Sequence, residues 1–188
     1  MGPRPVPTDE KLRAISCHVV YEMKMFSFTA GALMDGSVPP ENWRYNAMLE
    51  SWVLHLRNLL EFFYHRGKDP KIVRVDDFFG RTPNPELEPE ILKGLLGRAN
   101  VEISHLSYGR SVSRDWDVKG VSDVMETNIR LFIETVPERH MHPGFRSEIE
   151  EALILLSTVP TPIYTVRTTS GATSSGMAFE IDPPKGSS

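Results

Sequence analysis

Arg98, Glu102 and His105 are the residues of this chain whose types and spacing best suit chemistry. At about 100° per helical residue, Arg98 and His105 point within about 20° of each other, and Glu102 borders the same face. An imidazole beside a guanidinium is a meaningful pair for cutting RNA. The imidazole moves a proton to or from the ribose 2′-hydroxyl, and the guanidinium holds the phosphate and stabilises transition-state charge. These three are therefore the candidate catalytic residues, with His105 as proton-transfer group and Arg98 as phosphate-stabilising group.

The same residues also read as ordinary helix surface. Arg98 and Glu102 stand at ion-pair spacing with an imidazole nearby. Tyr108, Arg110 and Arg114, with Trp116, follow as a basic and aromatic loop. That loop either contacts a phosphate backbone or caps the fold, its aromatics packed and its arginines paired to acids. Arg57 and Asn58 form a second polar pair upstream, with His65 further on, and Arg57 lies between Glu50 and Glu61 on a salt-bridged face. His55 borders an apolar stripe and is expected as a hydrogen-bonded core histidine.

Other chemistries lack their signatures. There is no phosphate-binding glycine loop, no nucleophile elbow and no two-histidine zinc helix. His140 and His142 are close, but a metal needs more ligands, so they are expected in a solvated loop. Cys17 is the single cysteine, which excludes an internal disulfide and a cysteine-built metal site; it is expected to be a small buried apolar residue. No metal and no cofactor is expected.

An all-helical bundle carrying an Arg and a His a few residues apart on one helix resembles the HEPN superfamily. The segment concerned reads Arg98-Ala99-Asn100-Val101-Glu102-Ile103-Ser104-His105. The resemblance implies a metal-independent RNase of the toxin–antitoxin or phage-defence kind, or an inactive relative. It also implies a dimer that joins two motifs. The Arg-to-His interval is long for the family, and Ala99 stands where the family has a polar residue. The stretches LESWVLHLRNLLEFFYHR and VEISHLSYGR are also similar to segments of uncharacterised bacterial helical proteins.

The elements that must position these residues are helices. Tyr45 to Arg66 holds no Gly or Pro, and Tyr45, Met48, Leu49, Trp52, Leu56, Leu59, Leu60 and Phe63 recur at helical spacing. Trp52, Leu56 and Phe63 are expected in the core. Before it, Thr8 suits an N-cap and a helix is expected from Asp9 to Met34, stopped by Asp35-Gly36. Residues 68–85 read as a connector with a short extended piece at 71–75. Further helices are expected near 86–107, 117–136 and 144–157, the first weakened by Gly94 and Gly97. The fold class is thus all-α, a bundle of about five helices with under about a tenth of strand, against a usual quarter. Residues 1–8 are expected to be a disordered lead, 9–157 the domain, and 158–188 a flexible or hairpin tail rich in Ser, Thr, Gly and Pro.

The bulk numbers bound the function from outside. At 188 residues, one domain with a sizeable core is the default. A formal net charge of −4 gives no global pull toward nucleic acid, although a local basic patch remains compatible with RNA. No run of about 18 apolar residues implies a membrane span, and the first residues lack the apolar core of a secretory signal. A cytoplasmic interaction module, pairing with itself or with another protein, is the plain expectation. RNA cleavage is the alternative.

Overall fold

The computed structural model describes residues 6–36, 38–64, 69, 71–79, 88–104 and 116–157. Six α-helices lie among them: α1 (Asp9–Met34), α2 (Trp43–Tyr64), α3 (Val75–Phe79), α4 (Leu95–Ala99), α5 (Val118–Thr135) and α6 (Phe145–Ser157). No strand occurs among the described residues. The tail at 158–188 and most of the N-terminal lead lie outside them.

Local chemistry sets the helix ends. The Thr8 side chain accepts from the Lys11 amide at 3.3 Å, and Asp9 and Glu10 place negative charge in the first turn of α1. Asp117 does the same for α5, accepting from the Gly120 amide at 2.8 Å. Glycine leaves room for that cap: a Cβ at position 120 would lie 2.3 Å from the Asp117 carboxylate and push it aside. Pro137 ends α5. Arg146 then donates to the carbonyl oxygens of Ile133 and Val136, which the helix itself leaves open.

Hydrophobic burial assembles these elements around α2. Trp52 is fully buried, stacked on Phe26 of α1 at 5.9 Å and meeting the edge of Trp116 at 5.8 Å. A second aromatic cluster centres on Phe132 of α5, whose ring lies within 6.2 Å of Phe62, Phe63, Phe78, Phe79 and Phe145. α1 packs along both α2 and α6, so the longest helix is flanked on two sides.

The structure corrects several expectations. Phe63 is only partly buried, and Phe62 takes the core position instead. The reason is α3. Residues 71–75 do not stay extended: Val75 begins a short helix that plugs Phe78 against Phe62 at 5.9 Å, widening the buried arc of α2. The expected single helix over 86–107 is broken within its described part. A 3-10 turn at Glu90–Leu92 gives way at Gly94, whose φ of +78° only glycine adopts freely; α4 then starts and passes into a π-helical turn at Asn100–Ser104. Cys17 is exposed rather than buried, because it lies on the outward side of α1. His140 is not solvated: it is buried, with Nδ1 2.8 Å from the Phe78 carbonyl oxygen and Nε2 3.1 Å from Asp9 Oδ1. It ties α1 to the α3 plug.

Tyr64, at the end of α2, carries a prediction. Burial pushes its phenol up to about 12, with Glu88 adding to the shift and the Asn128 side chain opposing it. The fold therefore favours the neutral phenol. In the unfolded chain the group ionises near 10, so stability falls as pH rises from there toward 12. Thermal melting of wild type and Tyr64→Phe across that range checks this. The wild type is expected to lose stability more steeply than the variant.

Candidate functional site

Polar side chains concentrate where α1, α2 and α4 meet. Glu22 of α1 is the hub: its Oε2 lies 2.7 Å from His55 Nδ1 and accepts from Asn58 Nδ2 at 3.0 Å. Both partners sit on α2, three residues apart and so on one helical face. His55 is buried, as the sequence suggested, and the edge of its ring meets Tyr21 at 5.7 Å. Burial raises the Glu22 carboxyl, but hydrogen bonds from His55 and Asn58, with the charges of His55 and His18, outweigh it and leave the group below its ordinary value of 4.5. A small cleft of about 140 Å³ opens beside it, walled by Ile15, Val19, Leu59, Phe62 and Val73, with His18 at its polar edge.

Arg57 turns the other way, toward α4. Its Nε donates to Asn100 Oδ1 at 2.6 Å, and its two terminal nitrogens donate to Asn58 Oδ1 and Glu61 Oε1, both at 3.3 Å. The Arg57–Asn58 pair picked out in the sequence thus joins both halves of one network, from Glu22 through Asn58 and Arg57 to Asn100. This network locks the register of α2 between its neighbours. The sequence carries the His55 and Arg57–Asn58 signals, and Asn100 stands in the Arg98–His105 segment, but nothing in the sequence marks Glu22. A lone Glu inside a helical pattern gives no local sign of a partner 33 residues away.

Arg98 and Glu102 are brought together as their spacing suggests. Arg98 Nε donates to Glu102 Oε1 at 2.8 Å, and the guanidinium carbon lies 4.0 Å from the centre of the Trp116 ring. Trp116 in turn rests against Trp52. Arg98 is therefore held on one side by a carboxylate and on one face by a partly buried aromatic that packs against the core. His105, Tyr108, Arg110 and Arg114 lie outside the described residues. The π-helical turn alters the phase on which the Arg98–His105 alignment was reckoned, because its bonds run from i to i+5 rather than i+4.

Among the described residues, no three His, Cys, Asp or Glu side chains converge on a point that would hold a metal. No described helix is long and apolar enough to cross a membrane. Comparison with protein families, with curated proteins and with solved structures finds no match to this chain.

Proposed function

We propose that this protein is a helical interaction module that works by associating with itself, not an enzyme. The observation that carries this reading is the state of the two candidate-motif arginines. Each is paired with a carboxylate four residues along the chain: Arg57 with Glu61 and Arg98 with Glu102. A phosphate approaching either guanidinium meets a pair of no net charge and has to displace a carboxylate already in contact. Arg98 is further covered by Trp116, and Arg57 is bound to Asn58 and Asn100. These groups are occupied in holding helices together. A cytoplasmic setting goes with this reading, as does the single cysteine.

One observation favours the RNase reading. The hydrogen bond from Arg57 to Asn100 draws the two sequence segments with HEPN-like character to one place, and the irregular π turn lies immediately before His105. Incubating purified protein with single-stranded and structured RNA, in chelator, decides between the two. We expect the RNA to remain intact. Cleavage that disappears in both Arg98→Ala and His105→Ala, with helicity unchanged, would overturn the module reading in favour of metal-independent catalysis.

A further inference from the structure

Among the described helices, the outward side of α1 stands out by how few charged residues it carries. Beyond its first turn, α1 has three charged residues before its end, and each turns to a neighbour. Arg13 donates to the Arg139 carbonyl oxygen, Lys24 pairs with Glu148 of α6, and Glu22 faces α2. At about 100° per residue, the outward face left between them carries Ala14, His18, Tyr21, Met25, Phe28 and Ala32. Tyr21 is 53% exposed and Phe28 52% exposed, two large aromatics held open to water on one line. α2 lies alongside and continues the surface with Ala47 and with Leu54, which is 45% exposed. The contrast is α5. Its outward side carries the ion pairs Lys119–Asp123 and Glu126–Arg130, the usual dress of a solvated helix, and Leu131 is a lone apolar residue among them.

We propose that this α1–α2 face is the interface of a twofold dimer, and that its occupant is a second copy of this chain. The proposal rests on the self-association reading and gives it a surface. Three arguments select the second copy. First, apart from His18, and from Lys24 at its border, which is paired with Glu148, the patch carries no charged side chain on α1, so it offers little to choose a charged partner and little repulsion against itself. Second, the size fits. The stretch from Ala14 to Ala32 is about 27 Å long, and two helices packed 8–10 Å apart present a strip about 20 Å wide. Two such faces bury roughly 1,000–1,200 Å² together, at the lower bound for a specific interface. Third, the large and small residues complement one another under a twofold axis, where the same patch serves both partners. With α1 antiparallel to its copy about an axis beside Met25, Tyr21 of one chain lies opposite Phe28 of the other. Ala32 then faces Cys17 of the second copy, so the helices approach closely at both ends. Tyr and Phe at the centre of such a face are the residues that dominate an interface, because they bury much area at little cost in rotamer freedom.

Sedimentation velocity on the full chain over a concentration series tests this, with three variants. The wild type is expected to move from monomer to dimer as concentration rises. Tyr21→Glu/Phe28→Glu, both at exposed positions, is expected to weaken the dimer by at least about 100-fold while leaving the helical spectrum unchanged. Leu131→Glu on α5 is expected to dimerise like wild type. Met25→Cys in a Cys17→Ala background is expected to crosslink to its own copy under mild oxidation. A wild type that remains monomeric at about 100 µM overturns both the interface and the self-association reading. A wild type that dimerises equally well with the double variant overturns this interface alone. A Leu131→Glu variant that loses the dimer places the contact on α5 and overturns it too.

Discussion

Replacing Trp52 by Ala is expected to cost about 3–5 kcal/mol, the largest effect of any single substitution considered for this chain. Trp52 is completely buried at the crossing of α1 and α2, and it touches two other aromatic rings, Phe26 at 5.9 Å and Trp116 at 5.8 Å. Truncation to Ala removes the transfer energy of the indole and leaves a void between two long helices, which cannot close without shifting both. The effect should reach further than the core. Trp116 supports Arg98, so the loss of Trp52 loosens the platform on which that guanidinium rests. Equilibrium denaturation by urea checks the magnitude. A midpoint unchanged from wild type would mean that the face is not a core face.

Removing the Glu22 carboxylate is expected to be the next most damaging change, at about 1–3 kcal/mol. Glu22→Ala leaves the His55 ring nitrogen and the Asn58 amide, both of which point at Oε2, without their acceptor. An orphaned polar group that is out of water costs its desolvation. His55 is the buried partner, with its side chain 7% exposed, whereas Glu22 is a quarter exposed; water therefore offsets part of the loss. The same group makes the stability depend on acid. The folded-state value of Glu22 lies below 4.5, so the fold favours the ionised carboxylate. Its contribution is fully present above the unfolded value and is lost as pH falls through the folded one. Wild type is expected to lose stability in that acid range by more than Glu22→Ala does. Parallel acid curves for the two would show that Glu22 is not the titrating support.

How much of this was legible beforehand depends on the range of the interaction. α1 could be placed to the residue because its signals are local: Thr8 caps, Asp9 and Glu10 follow, and Asp35-Gly36 stops it. Asp117 and Pro137 mark α5 in the same way. Trp52 and Leu56 were readable as core because they lie at the centre of a wide stripe. Phe62 was not, because its burial comes from Phe78, sixteen residues on, in a segment whose alternating pattern suggested an extended chain. The break at Gly94 was half visible. Glycine weakens any helix, but whether it bends or ends one depends on the backbone angle that the neighbours impose.

The candidate site divides along the same line. Arg98 and Glu102 are four residues apart, and their contact follows from helix geometry alone. That Arg98 also lies over Trp116 depends on where α4 sits against α2, which no spacing reveals. The Glu22–His55–Asn58–Arg57–Asn100 network spans three helices, and nothing local in the sequence marks Glu22, its member on α1. Sequence periodicity identifies which residues share a face. It is silent on which faces meet, and function in a bundle is decided where faces meet.

The central claim is that this chain works by pairing with itself, with its polar clusters serving to hold helices in register. Sedimentation equilibrium of the unmodified full chain tests it most directly. The account predicts a mass that rises with concentration from the 21.3 kDa of one chain toward twice that value. A mass that stays at one chain across the whole concentration range would contradict it.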